Sequence, residues 1–198
     1  LDAPSSTTRD SGSLFGILSG NSTNAYSSVP ETVGYGRYDF GNKITAAVKV
    51  KFESFDTRQV FFNNFGSGGG FGFGANKDTI CFAVKLSSLS DKYVTCTIRN
   101  SLHAGTTYWI GGVYDGSANR LELYINGKKC ENAVWTLDGG DETISSISGT
   151  IQPTPLPIAL NARVNSDGAH IEAPLNGTIY KAGLWTDALS PDTIASMV

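Results

Sequence analysis

The sequence predicts an all-β fold in which two antiparallel sheets pack face to face. Its composition is the first observation: of 198 residues, 23 are glycine, 11% are aromatic and only 17% are charged. Such a balance favours a β globule over a helical bundle or a disordered chain. The second observation is a series of segments in which apolar and polar residues alternate, and the third is the clusters of turn-forming residues between them. A chain of this length supports one domain with a core of its own.

The predicted strands follow one another after a loop-rich start. Residues 1–33 are rich in Ser, Thr, Asn and Gly, with one short edge strand expected at residues 16–18. The clearest strand runs from Ile44 to Phe52, where every second residue is apolar. Further strands are predicted at residues 60–65, 71–73, 79–85, 93–99, 108–115, 120–126, 157–160 and 177–185.

Turn and cap signals complete this fold prediction. Asn126-Gly127 favours a type I′ hairpin turn, because both residues tolerate positive φ. Near the C-terminus, Ser190 is suited to cap a helix, Pro191 to its first position and Asp192 to its positive end, which predicts a short helical turn. No internal repeat or linker divides the sequence. We therefore expect a single domain over residues 1–198, with the loop-rich segment 1–33 packed on it.

Charge and hydropathy exclude two classes of partner. The chain carries 15 Lys and Arg against 18 Asp and Glu, a formal net charge of −3. Nucleic-acid binding requires a basic surface, so no nucleic-acid partner is expected. No apolar run of about 18 residues occurs, so no membrane insertion is expected. The chain begins at Leu1-Asp2 without Met, which indicates a mature protein or a segment of a larger one. The sequence leaves the oligomeric state open.

Three cysteines, Cys81, Cys96 and Cys130, cannot all pair within one chain, and no C-x-x-C spacing indicates a zinc or redox site. If residues 85–92 turn the chain, Cys81 lies opposite Cys96 and within reach of a disulfide. Two neighbouring reduced core thiols are the alternative. Around the Asn126-Gly127 turn, Cys130 lies opposite Leu123, which predicts a buried, unreactive thiol.

Several segments carry a recognisable pattern. Residues 108–116 (YWIGGVYDG) and 121–127 (LELYING) combine a Trp-led strand, a Tyr-Asp-Gly turn and a strand ending in Asn-Gly. Residues 175–185 (LNGTIYKAGLW) and 188–194 (ALSPDTI) combine a strand with a Ser-Pro-led helical turn. With residues 38–40 (YDF), they resemble concanavalin A-like, laminin-G-like jelly-roll domains over residues 34–198. The resemblance implies a two-sheet jelly-roll sandwich in which the motif residues are mostly structural, with Trp109 in the core.

The same fold hosts glucanases, but their catalytic pattern does not occur here. Those enzymes carry Glu-x-Asp-x-x-Glu on one strand, which places carboxylates for retaining hydrolysis. The nearest run, residues 53–56 (ESFD), has a different spacing. There is no G-x-S-x-G or H-E-x-x-H motif, and the only histidines are His103 and His170. We therefore expect a protein that is not an enzyme.

Residues 70–75 (GFGFGA) formally match the G-x-G-x-x-A pattern of dinucleotide sites. Such a site requires a helix after the glycine-rich turn, and no helical pattern follows. The favoured interpretation is a tight, glycine-rich strand crossing. Another is a flat sheet face that a ligand or a second chain can approach.

Calcium is the cofactor that the resemblance implies, since laminin-G-like and pentraxin-like relatives often bind it through loop oxygens. Ca²⁺ takes six to eight oxygen ligands. The expected suppliers are Asp138, Asp141 and Glu142 in a long acidic loop, with Asn165 and Asp167 in another. None of them forms a D-x-D-x-D-G loop, and solvated loop carboxylates are the alternative.

A sugar site combines a flat aromatic ring with groups that bind hydroxyls or a carboxylate. The candidate residues are Tyr35, Arg37, Trp135, Arg163, Asp167 and His170. Loops gathered at one sheet end, or one exposed concave face, would bring them together. Packing beneath the acidic loop is the alternative for Trp135, a solvated loop for Arg163 and His170, and pairing with Asp39 for Arg37.

The expected function is non-catalytic carbohydrate recognition. The chain would be a lectin-like domain of a larger extracellular, cell-surface or virion protein, mediating adhesion or host attachment through a glycan or glycoprotein. An aromatic such as Trp135 or Tyr35 would stack on the ring, and Arg37 or Arg163 would fix its orientation. The step from fold to glycan is an analogy. The alternative is a protein–protein interaction or assembly domain, a spike, fibre or adhesin module, with residues 66–74 as its contact.

Overall fold

Two seven-stranded antiparallel sheets form the molecule, which confirms the predicted all-β sandwich. The computed structural model describes residues 7–8, 17–23, 27–29, 39–66, 68–89, 92–99, 102–154, 156, 158–161, 163–164 and 171–198. The helix found in these ranges is short, and no helix among them is long and apolar enough to cross a membrane.

The elements follow the chain in this order: β1 Thr7–Thr8, β2 Ile17–Thr23, β3 Ser27–Val29, β4 Lys43–Phe52, β5 Arg58–Asn63, β6 Phe71–Asn76, β7 Thr79–Lys85, β8 Tyr93–Arg99, β9 Thr107–Asp115, β10 Arg120–Ile125, β11 Lys128–Lys129, β12 Val134–Leu137, β13 Ile158–Leu160, β14 Arg163–Val164, β15 Ile171–Glu172, β16 Gly177–Trp185 and α1 Pro191–Ala195.

The strand order places the consecutive strands β11 and β12 at the same edge of the sandwich. Sheet A has the order β1-β2-β16-β4-β9-β10-β11, and sheet B has the order β12-β8-β7-β6-β5-β13-β3. β14 and β15 form a separate two-stranded hairpin, and β14 packs against β5 and β13. Because β11 ends sheet A and β12 begins sheet B, the chain crosses between the sheets at this edge.

The core between the sheets is rich in phenylalanine. Phe61, Phe73 and Phe82 are at most 2% exposed. The ring of Phe73 meets Phe61 and Phe82 edge to face, with centroids 5.1 and 5.5 Å apart. Edge-to-face pairs place the positive rim of one ring against the negative face of the next, which stabilises them beyond simple burial.

Long paired strands agree closely with the sequence prediction, and short edge strands were missed. β7, β8 and β16 have the predicted bounds. β1 and β3 lie inside the segment 1–33 that was expected to be mostly loop, β2 extends the short strand that was expected at residues 16–18, and β12, β14 and β15 were not predicted. Strands of two to four residues are too short to show a period-2 pattern, and the longer β2 (ILSGNST) lacks apolar alternation.

The predicted register of the β7–β8 hairpin is wrong by one residue. Cys81 pairs with Thr97, and Cys96 pairs with Phe82. A shift of one residue turns every side chain to the other face of a strand, so the two cysteines lie on opposite faces of sheet B. All three cysteines are free. The predicted position of Cys130 opposite Leu123 is confirmed, since its backbone N–H donates to Leu123 O at 2.8 Å. Its side chain is only partly buried against the core rather than fully buried.

The glycine-rich run 66–74 overlaps residues 70–75, where the sequence favours a tight strand crossing, and it is closely packed. A Cβ on Gly69 would lie 2.1 Å from the carbonyl oxygen of Gln152, and Gly70 has a φ of +95°. Phe71 and Phe73 point into the core and are buried. The described residues of this run therefore offer no exposed aromatic surface of the kind that the assembly alternative requires.

The C-terminal segment covers part of the outer face of sheet A. Ser190 caps α1 as predicted, its Oγ accepting from the Thr193 N–H at 3.2 Å. Ile194 of α1 forms a small apolar cluster with Val113 and Tyr124. Trp109 lies on this outer face and is half-buried. Its expected place in the main core is wrong, because in β9 it alternates with the buried Ile110.

Candidate functional site

A depression of about 400 Å³ lies at the edge where the chain crosses between the sheets. It is bounded by β10 and β11 of sheet A and by β12 of sheet B, and we call it the edge pocket. Its volume falls in the range of about 300–1,000 Å³ typical of small-molecule sites. The side chains that give it chemical character are Arg120, Glu122, Lys129, Cys130, Glu131 and Trp135.

Trp135 joins the two sheets at the edge pocket. It lies in β12 opposite Cys96 of β8, and its side chain is half-buried against the core. The indole Nε1–H donates to the carbonyl oxygen of Leu121 in β10 at 2.6 Å. β11 pairs only with Tyr124 and Ile125, so it does not reach Leu121. The indole thus provides the edge carbonyl with the donor that a neighbouring strand would otherwise supply.

An ionic network lies along the sheet A side of the pocket. Arg120, Glu122 and Tyr124 alternate on β10 and therefore share one face. Arg120 Nε donates to Glu122 Oε2, which also accepts from the Tyr124 hydroxyl at 2.6 Å. Lys129 Nζ lies 3.0 Å from Glu122 Oε1. Arg120 Nη2 also donates to the Leu189 carbonyl at 3.0 Å, which ties the network to the C-terminal segment.

The network determines the protonation of its members. Burial favours the neutral form of Glu122, but hydrogen bonds from Tyr124, Arg120 and Lys129 outweigh it and lower the pKa of the carboxyl. Burial, with the hydrogen bond to Glu122, raises the pKa of Tyr124 to about 12. Glu122 is therefore ionised and Tyr124 neutral over the ordinary pH range.

Cys130 contributes an unreactive thiol to the pocket wall. Burial raises its pKa to about 11, and burial raises the pKa of Cys96, opposite Trp135, to about 12. The thiolate is the nucleophilic form of cysteine. At neutral pH both residues are protonated, so nucleophilic chemistry by either thiol is not favoured.

Comparison with protein families identifies the fold. A laminin G family model, described as the concanavalin A-like lectin/glucanases superfamily, matches residues 20–195. The chain belongs to this superfamily. No curated protein matches the chain in sequence.

Solved structures of the superfamily fold include sugar-bound proteins. The CBM40 of the Ruminococcus gnavus IT-sialidase, bound to alpha2,3 sialyllactose, is 14% identical with a TM-score of 0.57, and the match covers 89% of this chain and 99% of that one. The binding domain of botulinum neurotoxin DC in complex with SialylT is 11% identical (TM-score 0.53), covering 79% of this chain and 35% of that one. A heptameric SAP-like pentraxin from Limulus polyphemus is 17% identical (TM-score 0.52; 87% and 80% covered). At these identities, the likeness shows the fold.

Glu122 in the edge pocket is not suited to be the general acid of a glucanase active site. Glycoside hydrolysis requires a carboxyl group with a raised pKa, which acts as general acid. Glu122 has the opposite shift, because two cations and a phenol stabilise its charged form. This arrangement favours hydrogen bonding to a ligand over proton donation to a glycosidic oxygen.

The acidic loop after β12 forms a tight return. Asp138 has a φ of +53° and Gly139 a φ of +65°. The Asp138 Oδ1 accepts from the Tyr93 N–H at 3.0 Å, and the chain then folds back so that Leu137 N donates to the Glu142 carbonyl at 3.1 Å. Among the residues that the structure describes, no three His, Cys, Asp or Glu side chains form a group that fits a metal ion. Asp138, Asp141 and Glu142 are not such a group, so we derive no calcium-dependent step from them.

The two predicted sugar contacts that the structure describes, Trp135 and Arg163, are not brought together. Tyr35, Arg37, Asp167 and His170 lie outside the described residues, as does Asn165. Arg163 is half-buried on β14, beside β5 and β13. Four inter-strand spacings of about 4.8 Å, roughly 19 Å in all, separate β12 from β5, against which β14 packs. Arg163 and Trp135 therefore do not contact the same sugar ring.

The ionic network was missed in the sequence, although a signal for it was present. Arg120, Glu122 and Tyr124 occupy the polar face of the predicted 120–126 strand, opposite Leu121 and Leu123. Three functional groups on one face of an edge hairpin indicate a candidate site. The contact with Lys129 follows from the Asn126-Gly127 turn, which pairs Lys129 with Tyr124.

Proposed function

We propose that this protein is a non-catalytic carbohydrate-recognition domain that binds a glycan in the edge pocket. As part of a larger extracellular, cell-surface or virion protein, it would mediate attachment to a glycan or glycoprotein. The observation that carries the proposal is the combination of a half-buried indole with hydrogen-bond donors and acceptors around one depression of about 400 Å³.

The residues of the pocket match the chemistry of a sugar. A pyranose has apolar C–H faces and a rim of hydroxyl groups, each of which both donates and accepts. The half-buried indole of Trp135 is the aromatic group of the pocket wall, and its only donor is already bound to Leu121 O. Glu122 supplies acceptors and Lys129 supplies donors beside it. An aromatic ring flanked by polar groups is the combination that the sequence prediction called for, and it supports the proposal.

The solved neighbours support the same class of ligand. The Ruminococcus gnavus CBM40 is bound to sialyllactose, and the botulinum neurotoxin binding domain is in complex with SialylT. Some neighbours belong to sialidases, for example the leech intramolecular trans-sialidase, and the chain spans 27% of that protein's length. The lowered pKa of Glu122 disfavours a general-acid role for this carboxyl, which is consistent with the non-catalytic proposal.

A broad glycan array tests the proposal. The folded domain is applied in calcium and again in EDTA, alongside Trp135→Ala and Trp135→Phe. We expect specific binding that Trp135→Ala abolishes and Trp135→Phe weakens, because phenylalanine keeps part of the ring face. Trp109→Phe is the matched control, since Trp109 is also half-buried but does not line the edge pocket.

The array also separates the remaining alternatives. Loss of binding in EDTA would place calcium in or behind the site, in line with the cofactor that the family resemblance implies. An absence of glycan binding in either buffer, from a sample shown to be folded, would overturn the proposal and favour a protein partner instead.

A further inference from the structure

We infer that the edge pocket accepts an uncharged sugar face and disfavours the acidic group of a sialylated, sulfated or uronic-acid glycan. This inference rests on the proposed function and specifies its ligand class. The first observation is charge balance. Two cations, Arg120 and Lys129, and two carboxylates, Glu122 and Glu131, line the pocket, so its formal charge is zero.

Arg120 is not available as a clamp for an acidic group. An arginine that recognises a carboxylate uses its planar fork of N–H groups in two parallel hydrogen bonds. Here Nε is bound to Glu122, and Nη2 donates both to the Tyr124 hydroxyl and to the Leu189 carbonyl, each at 3.0 Å. The Arg120 side chain is only 18% exposed. Its role is to hold Glu122 in its ionised form at the pocket wall.

Lys129 is the more accessible cation, but Glu122 is immediately beside it. Its Nζ lies 3.0 Å from Glu122 Oε1, and the charge of Glu131 also contributes to raising the pKa of Lys129. A ligand carboxylate that reached Lys129 would approach the Glu122 carboxylate as well, and like charges repel strongly at such short range. Lys129 is the exposed cation in the part of the pocket wall that the structure describes. The geometry therefore disfavours an anionic ligand group at Lys129.

Hydroxyl groups of a sugar can bind Glu122 and Lys129 without this charge repulsion. One hydroxyl can donate to a carboxylate oxygen of Glu122 while its neighbour on the ring accepts from Lys129. The acceptor and the donor lie 3.0 Å apart, so a pair of adjacent hydroxyls can engage both. With the C–H face of the ring against Trp135, every strong contact is made to a neutral group of the ligand.

Matched pairs of glycans test the inference. Each neutral glycan that binds is compared with the same glycan carrying terminal sialic acid or sulfate, for example lactose with 3′-sialyllactose. We expect the neutral member to bind at least about tenfold more tightly, a difference of about 1.4 kcal/mol. Lys129→Ala should weaken binding of the neutral glycan, whereas Lys128→Ala, which changes an exposed lysine outside the pocket lining, should not.

A charge variant provides the second readout. Glu131→Gln removes one exposed carboxylate from the pocket and should improve binding of the acidic member relative to the neutral one. Glu142→Gln, in the exposed loop after β12, is its matched control and should leave the ratio unchanged.

The outcomes separate the inference from the proposed function. Preferential binding of the acidic glycan that still requires Trp135 would overturn the inference and leave the glycan-binding proposal standing. Neutral-glycan binding that is insensitive to Lys129→Ala and Trp135→Ala would overturn the assignment of the pocket. No binding of either member would overturn both.

Discussion

The glycine-rich crossing at residues 66–74 and the edge pocket use aromatic side chains in opposite ways. At the crossing, Phe71 and Phe73 are at most 2% exposed, and glycines let neighbouring backbones approach more closely than a Cβ permits. At the edge pocket, Trp135 is only half-buried, and charged groups rather than glycines surround it. The first region consists of close-packed apolar contacts, and the second of oriented polar ones.

The position of each strand in its sheet explains the difference. β6 lies between β5 and β7, so both of its backbone edges are paired and its inner side chains contribute to packing. β12 begins sheet B, and β10 is only partly covered by the two-residue β11. At such an edge, backbone carbonyl groups without a neighbouring strand accept hydrogen bonds from side chains. Trp135 is the side chain that donates here, and it remains partly exposed to solvent. An aromatic in the middle of a sheet therefore stabilises the fold, whereas one at the edge is available to a ligand.

The largest expected effect is at the crossing. Phe73→Ala should lower the free energy of unfolding by about 3–5 kcal/mol, because it leaves a cavity among rings that are packed edge to face. Denaturant unfolding measures this change. Val134→Ala, at a side chain that is 48% exposed, is the control and should change stability by less than about 0.5 kcal/mol. Equal effects at both positions would contradict the assignment of Phe73 to the core.

The ionic network should give the next largest effect, and one that depends on pH. Glu122→Gln leaves Arg120 and Lys129 without their shared anion, at an expected cost of about 1–3 kcal/mol at neutral pH. Because folding lowers the pKa of Glu122, its contribution is fully present above the unfolded value of about 4.3 and is lost as the pH falls through the folded value. The two proteins should therefore converge in stability on acidification.

Urea titrations of both proteins across the acid range provide the measurement. Glu53→Gln is the control, since Glu53 forms an exposed ion pair with Lys51 at 2.8 Å and should have little effect on stability at any pH. A constant difference between wild type and Glu122→Gln down to low pH would show that the carboxylate charge is not what stabilises this edge.

The sequence predicts the centre of the sandwich better than its edges, for a physical reason. Strands such as β4 bury one face along ten residues, so their alternation reveals both type and bounds. The turn at Asn126-Gly127 then fixes the position of Cys130. The β7–β8 register was predicted incorrectly because the connection has no such dipeptide and includes an additional short helical turn at Ser87–Leu89.

The candidate site could be predicted only in part. Trp135 is an aromatic outside the family motifs, which makes it a candidate in the sequence. Its contact with Leu121 joins β12 of sheet B to β10 of sheet A, and sequence spacing does not predict how closely two strands of different sheets approach. Asp138-Gly139 is the same kind of dipeptide as Asn126-Gly127 and would have indicated the tight return after β12. The alternation of Arg120, Glu122 and Tyr124 is visible in the sequence. That β10 lies near the sheet edge, where these side chains can meet a ligand, is known only from the strand order.

A smaller effect is expected where the indole joins the sheets. Trp135→Phe keeps an aromatic in the same place but removes the hydrogen bond to Leu121 O, so stability should fall by about 1 kcal/mol. Thermal unfolding and glycan affinity are measured on the same sample. A variant as stable as wild type would show that water replaces the indole N–H, and the edge would then resemble an ordinary solvated strand.

The smallest expected effect concerns the two cysteines, each of which belongs to one of the compared regions. Cys81 lies opposite Gly74 at the crossing, and Cys96 lies opposite Trp135 beneath the edge pocket. Because they lie on opposite faces of sheet B, oxidising conditions should not join them. Thiol titration of the unfolded, non-reduced protein should find three free thiols per chain, and Cys81→Ser should change stability by less than about 0.5 kcal/mol.

A disulfide between Cys81 and Cys96 would typically contribute about 2–4 kcal/mol to stability. If Cys81→Ser lowered the stability by that amount, and reductant lowered the stability of the wild type equally, the β7–β8 register would differ by one residue. Trp135 would then turn away from Leu121, and the edge pocket would lose the aromatic wall on which glycan binding depends.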